Sequence, residues 1–297
     1  MNFVHYKNGN YNVHIDLENG TKIRENDLDF FKPDYPESMD IKITNMCDMG
    51  CKFCHENSMP DGKHGDIMHL KFIDSLHPYT ELAIGGGNPL AHPDLVRFLK
   101  KCKELKLIPS MTINQVHFLK NIDQVKYLVD NKLIYGLGIS LTNPTDEFIE
   151  QVQKFPNAVI HVIAGIVDIE DLRKLANKNL KILLLGYKQF RRGEVLYNQV
   201  AAMIEKKIYM IRGDLKEIVS WFDVVSFDNL AIKQLEPKRI LTDEEYDEFF
   251  MGEDGFANCY LDLVEQTYAL SSVSPIRYPL LDDIKPMFEH LQEVKNI

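Results

Sequence analysis

The chain of 297 residues is short of several things, and each shortage narrows what it can be. No run approaches the roughly eighteen consecutive apolar residues that a membrane-spanning helix needs. The opening Met-Asn-Phe-Val-His-Tyr-Lys has no basic segment leading into an apolar one. The expectation is a cytoplasmic protein without a membrane partner. Positive charge is scarce, with 34 lysines and arginines against 44 aspartates and glutamates and a net charge of -10. A general nucleic-acid binder draws its affinity from basic side chains that neutralise phosphates, so that class is disfavoured. Low-complexity segments are missing, as is any internal repeat beyond an alternation of strands and helices. Cysteine is scarcer still: of five, Cys47, Cys51 and Cys54 fall within eight residues, and only Cys102 and Cys259 lie elsewhere. A disulfide framework spreads its cysteines along the chain, and a cytosolic protein keeps its thiols reduced, so the triplet points to a metal.

What is present has a rhythm. Residues 1–36 alternate apolar with polar side chains through Phe3-Val4-His5-Tyr6 and Tyr11-Asn12-Val13-His14-Ile15. Asn8-Gly9 and Asn19-Gly20 supply positive-φ turns, and the segment reads as an N-terminal β meander. From Met39, apolar runs at 41–44, 82–86, 111–114, 137–141, 159–165 and 182–186 alternate with helical patterns near 66–76, 94–105, 118–131, 145–154 and 169–178. Strands that are apolar nearly throughout belong to parallel sheets covered on both faces. Six βα units can wind into an open doubly wound sheet or into most of a (β/α) barrel, and periodicity does not separate the two. Helical patterns follow near 195–206 and 215–222, then strands at 224–227 and 256–264, a return strand to Leu270 and a final helix from Leu281. The expected organisation is a meander at 1–36, an α/β body at 37–222 and a cap of strands, hairpin and helix at 223–297.

The triplet Cys47-Asp48-Met49-Gly50-Cys51-Lys52-Phe53-Cys54 directly follows the first parallel strand, so it lies on a loop at the C-terminal end of the sheet. Active sites of parallel α/β folds lie at that end. Three thiolates in one short loop suit a soft-metal centre, and Gly50 lets the backbone curl between them. A structural zinc with His55 as fourth ligand fits less well, because such sites join two separated ligand pairs and Cys54 and His55 are adjacent. Three ligands instead of four suit a cubane iron-sulfur cluster with one iron left open.

With its aromatic Phe53 before the last cysteine, this CxxxCxxC loop resembles the signature of the radical S-adenosylmethionine (SAM) superfamily. The resemblance implies that Cys47, Cys51 and Cys54 hold three irons of a single 4Fe-4S cluster, that SAM chelates the fourth iron, and that Phe53 lies near the adenine. The second strand ends in Ile84-Gly85-Gly86-Gly87-Asn88-Pro89-Leu90, similar to the family's Gly-Gly-Glu-Pro turn beside SAM's amino group, with Asn88 where the family usually carries Glu. By the same resemblance Ser140 contacts the ribose or carboxylate, Gly165 clears space near the adenine, and Lys188, followed by Arg191-Arg192, reaches SAM's carboxylate or an anionic substrate. The implied fold is a partial (β/α)6 TIM-like barrel with the N-terminal meander and a C-terminal β-hairpin plus helix. The implied reaction is reductive cleavage of SAM to a 5′-deoxyadenosyl radical that abstracts a substrate hydrogen, with electrons from a donor such as flavodoxin or ferredoxin.

The remaining cysteines are too few for an auxiliary cluster. Cys102 shares a helical face with Leu95, Phe98, Leu99 and Leu105 and reads as packing. Cys259 shares a strand face with Ala257, Leu261 and Leu263, which favours the core; the functional alternative is a hydrogen-atom donor to a substrate radical. His55 and Trp221 read as a loop and a core residue. The expected substrate is a peptide, modified by epimerisation or crosslinking and captured as an added strand, with the terminal segments closing the barrel mouth. The alternatives are a small metabolite or nucleotide, activation of a glycyl-radical enzyme, and, outside enzymes, a zinc-stabilised binding module.

Overall fold

A computed structural model describes residues 3–28 and 30–295. Gly9 at φ +57° and Gly20 at φ +80° take conformations that an L side chain resists. They turn the chain between β1 (Phe3–Asn8), β2 (Tyr11–Asp16) and β3 (Lys22–Glu25), which form the expected antiparallel meander.

The second sheet begins with seven parallel strands: β4 (Ser38–Thr44), β5 (Glu81–Gly86), β6 (Ile108–Asn114), β7 (Gly136–Ser140), β8 (Ala158–Ile163), β9 (Lys181–Leu185) and β10 (Val224–Phe227). On the free edge of β4, β11 (Asn258–Asp262) adds in parallel and carries β12 (Thr267–Ala269) and β13 (Tyr278–Pro279) antiparallel beyond it. The helices are α1 (Leu95–Glu104), α2 (Gln115–Lys120), α3 (Ile122–Asp130), α4 (Asp146–Val152), α5 (Ile169–Leu175), α6 (Arg192–Gly213), α7 (Leu215–Val219), α8 (Asn229–Leu235), α9 (Asp243–Phe249) and α10 (Ile284–Val294). Among the described residues none is long and apolar enough to cross a membrane.

The fold is a partial barrel. Strand β10 does not pair with β11, yet Asn229, just after β10, donates to Asp254, just before β11 (2.7 Å), so the two ends of the run of parallel strands are brought round towards each other. Side chains alternate along each strand. On β4, Met39, Ile41 and Ile43 are buried in the main core, whereas Asp40, Lys42 and Thr44 face the other way, into the lumen. Polar and small residues occupy the lumen positions of the neighbouring strands as well: Thr112 beside Gly138, Asn114 beside Ser140, and Ser140 beside His161.

Four expectations need correction. No α-helix forms near 66–76, where only a 3-10 turn at Phe72–Ser75 appears, because the preceding backbone is committed to a closed loop: Asn45 N–H donates to Lys63 O, Cys47 N–H to Met59 O and Gly65 N–H to Ile43 O. The boundary at 222 falls inside the sheet, since β10 pairs with β9 as a seventh parallel strand and β11 pairs with β4. The segment 228–250 contains α8 and α9, neither of which was anticipated. Finally, the meander does not close the mouth. Its buried Tyr11, Val13 and Ile15 pack on Ile108, the first residue of β6, with Tyr79 and Tyr135 just ahead of β5 and β7. That is the N-terminal end of the barrel, opposite the cysteine loop.

Charge fixes the meander there. Glu37, directly before β4, accepts from Arg24 Nε (2.9 Å to Oε1) and Nη2 (3.0 Å to Oε2) and from the Tyr11 hydroxyl, with Lys22 Nζ 3.3 Å away. Burial pushes this carboxyl's pKa up, but the Arg24 hydrogen bonds, Lys22 and Tyr11 outweigh it and hold it below the ordinary range. A depressed pKa contributes stability that is present above the unfolded-state carboxylate value of about 4.3 and lost as pH falls through the folded one. Replacing Glu37→Ala deprives Arg24 of its carboxylate partner and the Tyr11 hydroxyl of its acceptor, while Lys22 keeps Glu81, and should cost about 3 kcal/mol in urea unfolding. The difference from wild type should shrink as the pH is lowered below about 4.

Candidate active site

Residues 45–65 leave β4 and return to it as a closed loop. Besides the bonds already described, Met59 N–H donates to Asn45 O (3.0 Å) and Ser58 Oγ to Asn45 Oδ1 (3.1 Å). Gly50 takes φ +61° between the first two cysteines. Cys47, Cys51 and Cys54 are free thiols, each half-buried on this loop. Among the described residues the only three metal-ligating side chains within 4.8 Å of one another are Cys47, Asp48 and His117, so the three sulfurs are spread wider than that. A single tetrahedral zinc with bonds of about 2.3 Å would need them closer. The soft donor set and its spacing suit a larger iron-sulfur group.

The turn after β5 packs directly on this loop. Gly87 N–H donates to Thr44 O (2.8 Å) and Asn88 N–H to Met46 O (2.7 Å). A Cβ on Gly86 would lie 2.3 Å from Thr44 O, and one on Gly87 2.2 Å from Met46 O, so only glycine permits the approach. Gly85, by contrast, has open space beside it. Asn88 Oδ1 is buried without a hydrogen-bond partner. A buried acceptor left unsatisfied is costly, and a ligand ammonium is the kind of group that would satisfy it. The residues at this turn therefore fit SAM.

Beneath the loop lies a buried ammonium. Lys42 Nζ is 3.1 Å from Asp262 Oδ2 on β11 and 3.1 Å from Glu56 Oε2 on the loop, with its side chain 1% exposed. Glu56 also accepts from the Tyr260 hydroxyl (3.1 Å to each oxygen). Burial drives the Glu56 pKa up, but His55 and Lys42 outweigh it and hold the carboxyl far below its usual range. Arg191 Nη1 donates to Glu56 O (2.9 Å) and Arg192 Nη2 to Ser58 O (2.6 Å). Arg191 adopts φ +52°, a strained conformation for a side-chain-bearing residue, at the start of α6.

The other expected residues fall into two groups. Lys188 comes to the loop, its Nζ 3.4 Å from His55 Nε2 and 3.0 Å from Ser272 Oγ. Ser140 ends β7 on the lumen side, and Phe53 packs partly buried against the core. The rest lie elsewhere. Gly165 clears space for Ile204 and Tyr187, whose atoms would lie 2.6 and 2.9 Å from a Cβ there, so its role is packing. Cys259 is paired with Met39 and points with it into the core; at 4% exposed, with burial raising its thiol pKa, it is not placed to donate a hydrogen atom into the lumen. Cys102 and Trp221 also lie in the core. Arg191 and Arg192 each donate to a loop carbonyl, while Arg192 Nε is left without a partner.

Sequence reasoning missed the lumen's polar groups. Lys42 interrupts an apolar run, which was a usable signal, but its partners lie far off in sequence. His161 faces the lumen from within the apolar β8, where a Cβ on Gly138 would be 2.4 Å from its Cε1. Burial lowers its pKa to about 4, so the ring is neutral at pH 7. Asp40 also faces the lumen, where it is exposed.

Comparison with known proteins bears on the family and the fold. The family model described as "Radical SAM superfamily" matches residues 41–189. Among solved structures, Streptococcus suis SuiB bound to S-adenosylmethionine is similar at a TM-score of 0.62 and 12% identity, covering 97% of this chain and 85% of that one. SuiB bound to its precursor peptide SuiA gives a TM-score of 0.59 and 11% identity, over 94% and 84%. No curated protein matches the chain. The Lys42 contacts generate a test: Lys42→Met strands two buried carboxylates and should lower stability by about 3–5 kcal/mol in chemical denaturation. The triple change K42M/E56Q/D262N removes all three charges and should recover most of the loss.

Proposed function

Because the chain belongs to the radical SAM superfamily, we propose that it is a peptide-modifying enzyme holding one 4Fe-4S cluster on Cys47, Cys51 and Cys54, with SAM against the Gly86-Gly87-Asn88 turn. The cluster and SAM together supply one-electron chemistry that removes a hydrogen atom from the substrate. The protein's own residues do the rest. The loop hydrogen bonds and the Lys42 contacts hold the cysteines in place, Asn88 Oδ1 offers an acceptor to an ammonium, and the Ser140 hydroxyl and Lys188 stand ready for the polar end of SAM.

The peptide reading is carried by the lumen. Thr112, Ser140 and neutral His161 offer uncharged hydrogen-bonding groups suited to amides, while Arg191 and Arg192 each donate to a carbonyl of the cysteine loop. The likeness in fold to SuiB, which binds a precursor peptide, supports the same reading. A flavodoxin or ferredoxin is the proposed electron donor. The meander, at the far end of the barrel, has β1 and β3 as its edges and remains a proposed strand-addition surface for an extended peptide. A peptide held there would have to run the depth of the barrel to reach the mouth, about 3.3 Å per residue.

The test is anaerobic turnover of four-iron protein with SAM, reductant and a panel of peptides and nucleotides. Deoxyadenosine release with solvent deuterium appearing at a peptide Cα would mark epimerisation, and loss of two hydrogens a crosslink. Turnover of nucleotides alone would overturn the peptide assignment. Asn88→Ala removes the orphaned acceptor and should weaken SAM binding about tenfold by calorimetry, with iron content unchanged.

A further inference from the structure

His117 belongs to neither the SAM turn nor the lumen. It rides on α2, past the end of β6, and its side chain is 4% exposed. Its Nε2 lies 2.6 Å from Asp48 Oδ1, and its Nδ1 is buried without any partner. Asp48 directly follows Cys47, and ligand atoms of Cys47, Asp48 and His117 lie within 4.8 Å of one another, as those of Cys47, Cys51 and Cys54 do not. Asp48 is 63% exposed, which leaves the approach open to water.

A thiolate, an imidazole and a carboxylate form a mixed donor set for a borderline divalent cation. Ligands about 2.0–2.3 Å from one ion stand within about 4.5 Å of each other, close to the spacing seen here. One thiolate and one carboxylate around a divalent ion and a neutral ring give a site of zero net charge, which the partly buried surroundings tolerate. We propose that Cys47, Asp48 and His117 form a mononuclear site for a divalent ion of the Fe2+, Zn2+ or Co2+ type. Its occupancy excludes the iron-sulfur cluster, because both need the Cys47 thiolate. On binding, the Cys47 thiol proton leaves to solvent, the Asp48 to His117 contact opens as the ring proton on Nε2 shifts to Nδ1, the ion takes one ligand atom from each side chain, and water completes the shell. No redox change is involved. The exclusion rests on the assignment of Cys47 to the cluster; the site itself does not.

The probe is Co2+, titrated anaerobically into the C51A/C54A double variant, which keeps this site and cannot hold the cluster. One Co2+ per chain is expected, with a sulfur-to-cobalt charge-transfer band of single-thiolate intensity. His117→Ala in that background should weaken it at least tenfold, and Cys47→Ala should abolish the band. Absence of the band, or affinity unchanged by His117→Ala, overturns the proposal. Should the double variant melt below wild type, the full chain serves instead: one equivalent of Zn2+ should block cluster reconstitution, and His117→Ala should lift the block. A block that persists in His117→Ala overturns the proposal. Iron uptake by zinc-free wild type reads the cluster assignment separately.

Discussion

A single buried ammonium organises the active end of this protein. Lys42 has its charge taken from water and held between Glu56 and Asp262, so it ties together three segments: the first barrel strand, the cysteine loop and the C-terminal strand. Removing an ion from water costs several kcal/mol, and only close opposite charges offset it. The geometry is correspondingly specific. Tyr260, Arg191 and Arg192 extend the network to the loop backbone, and the loop in turn fixes the glycine turn through the Gly87 and Asn88 amides. Each partner is oriented by one already oriented.

The two ends of the barrel are held by different means and do different things. At the N-terminal end an aromatic and aliphatic layer of the meander covers the strand starts and is fastened by Glu37. At the C-terminal end polar groups converge, Asn88 Oδ1 is left unsatisfied, and glycines let backbones touch.

Much of this was legible in the sequence wherever the signal is local. The cysteine loop, the glycine turn, the two Asn-Gly hairpins, the six parallel strands and the C-terminal hairpin each carry their mark within about ten residues. What escaped depends on partners distant in the chain. Nothing near Lys42 announces Asp262, and the apolar pattern of β11 does not say that it will add to β4 in parallel. A pattern also misled: residues 66–76 have helical periodicity, but Ile67, Leu70, Phe72 and Ile73 bury themselves from an irregular segment whose course the preceding loop has already set. Gly165 shows the limit of resemblance, since its missing side chain makes room for the protein's own Ile204 and Tyr187.

The separation of Lys42 from Asp262 by 220 residues bears on how the protein is made. A chain emerging from the ribosome presents its cysteine loop well before the strand that neutralises the ammonium beneath that loop. Until β11 is in place the first barrel strand keeps an open edge and the loop lacks its anchor. Order at the cysteines therefore waits on a strand about two hundred residues downstream of them.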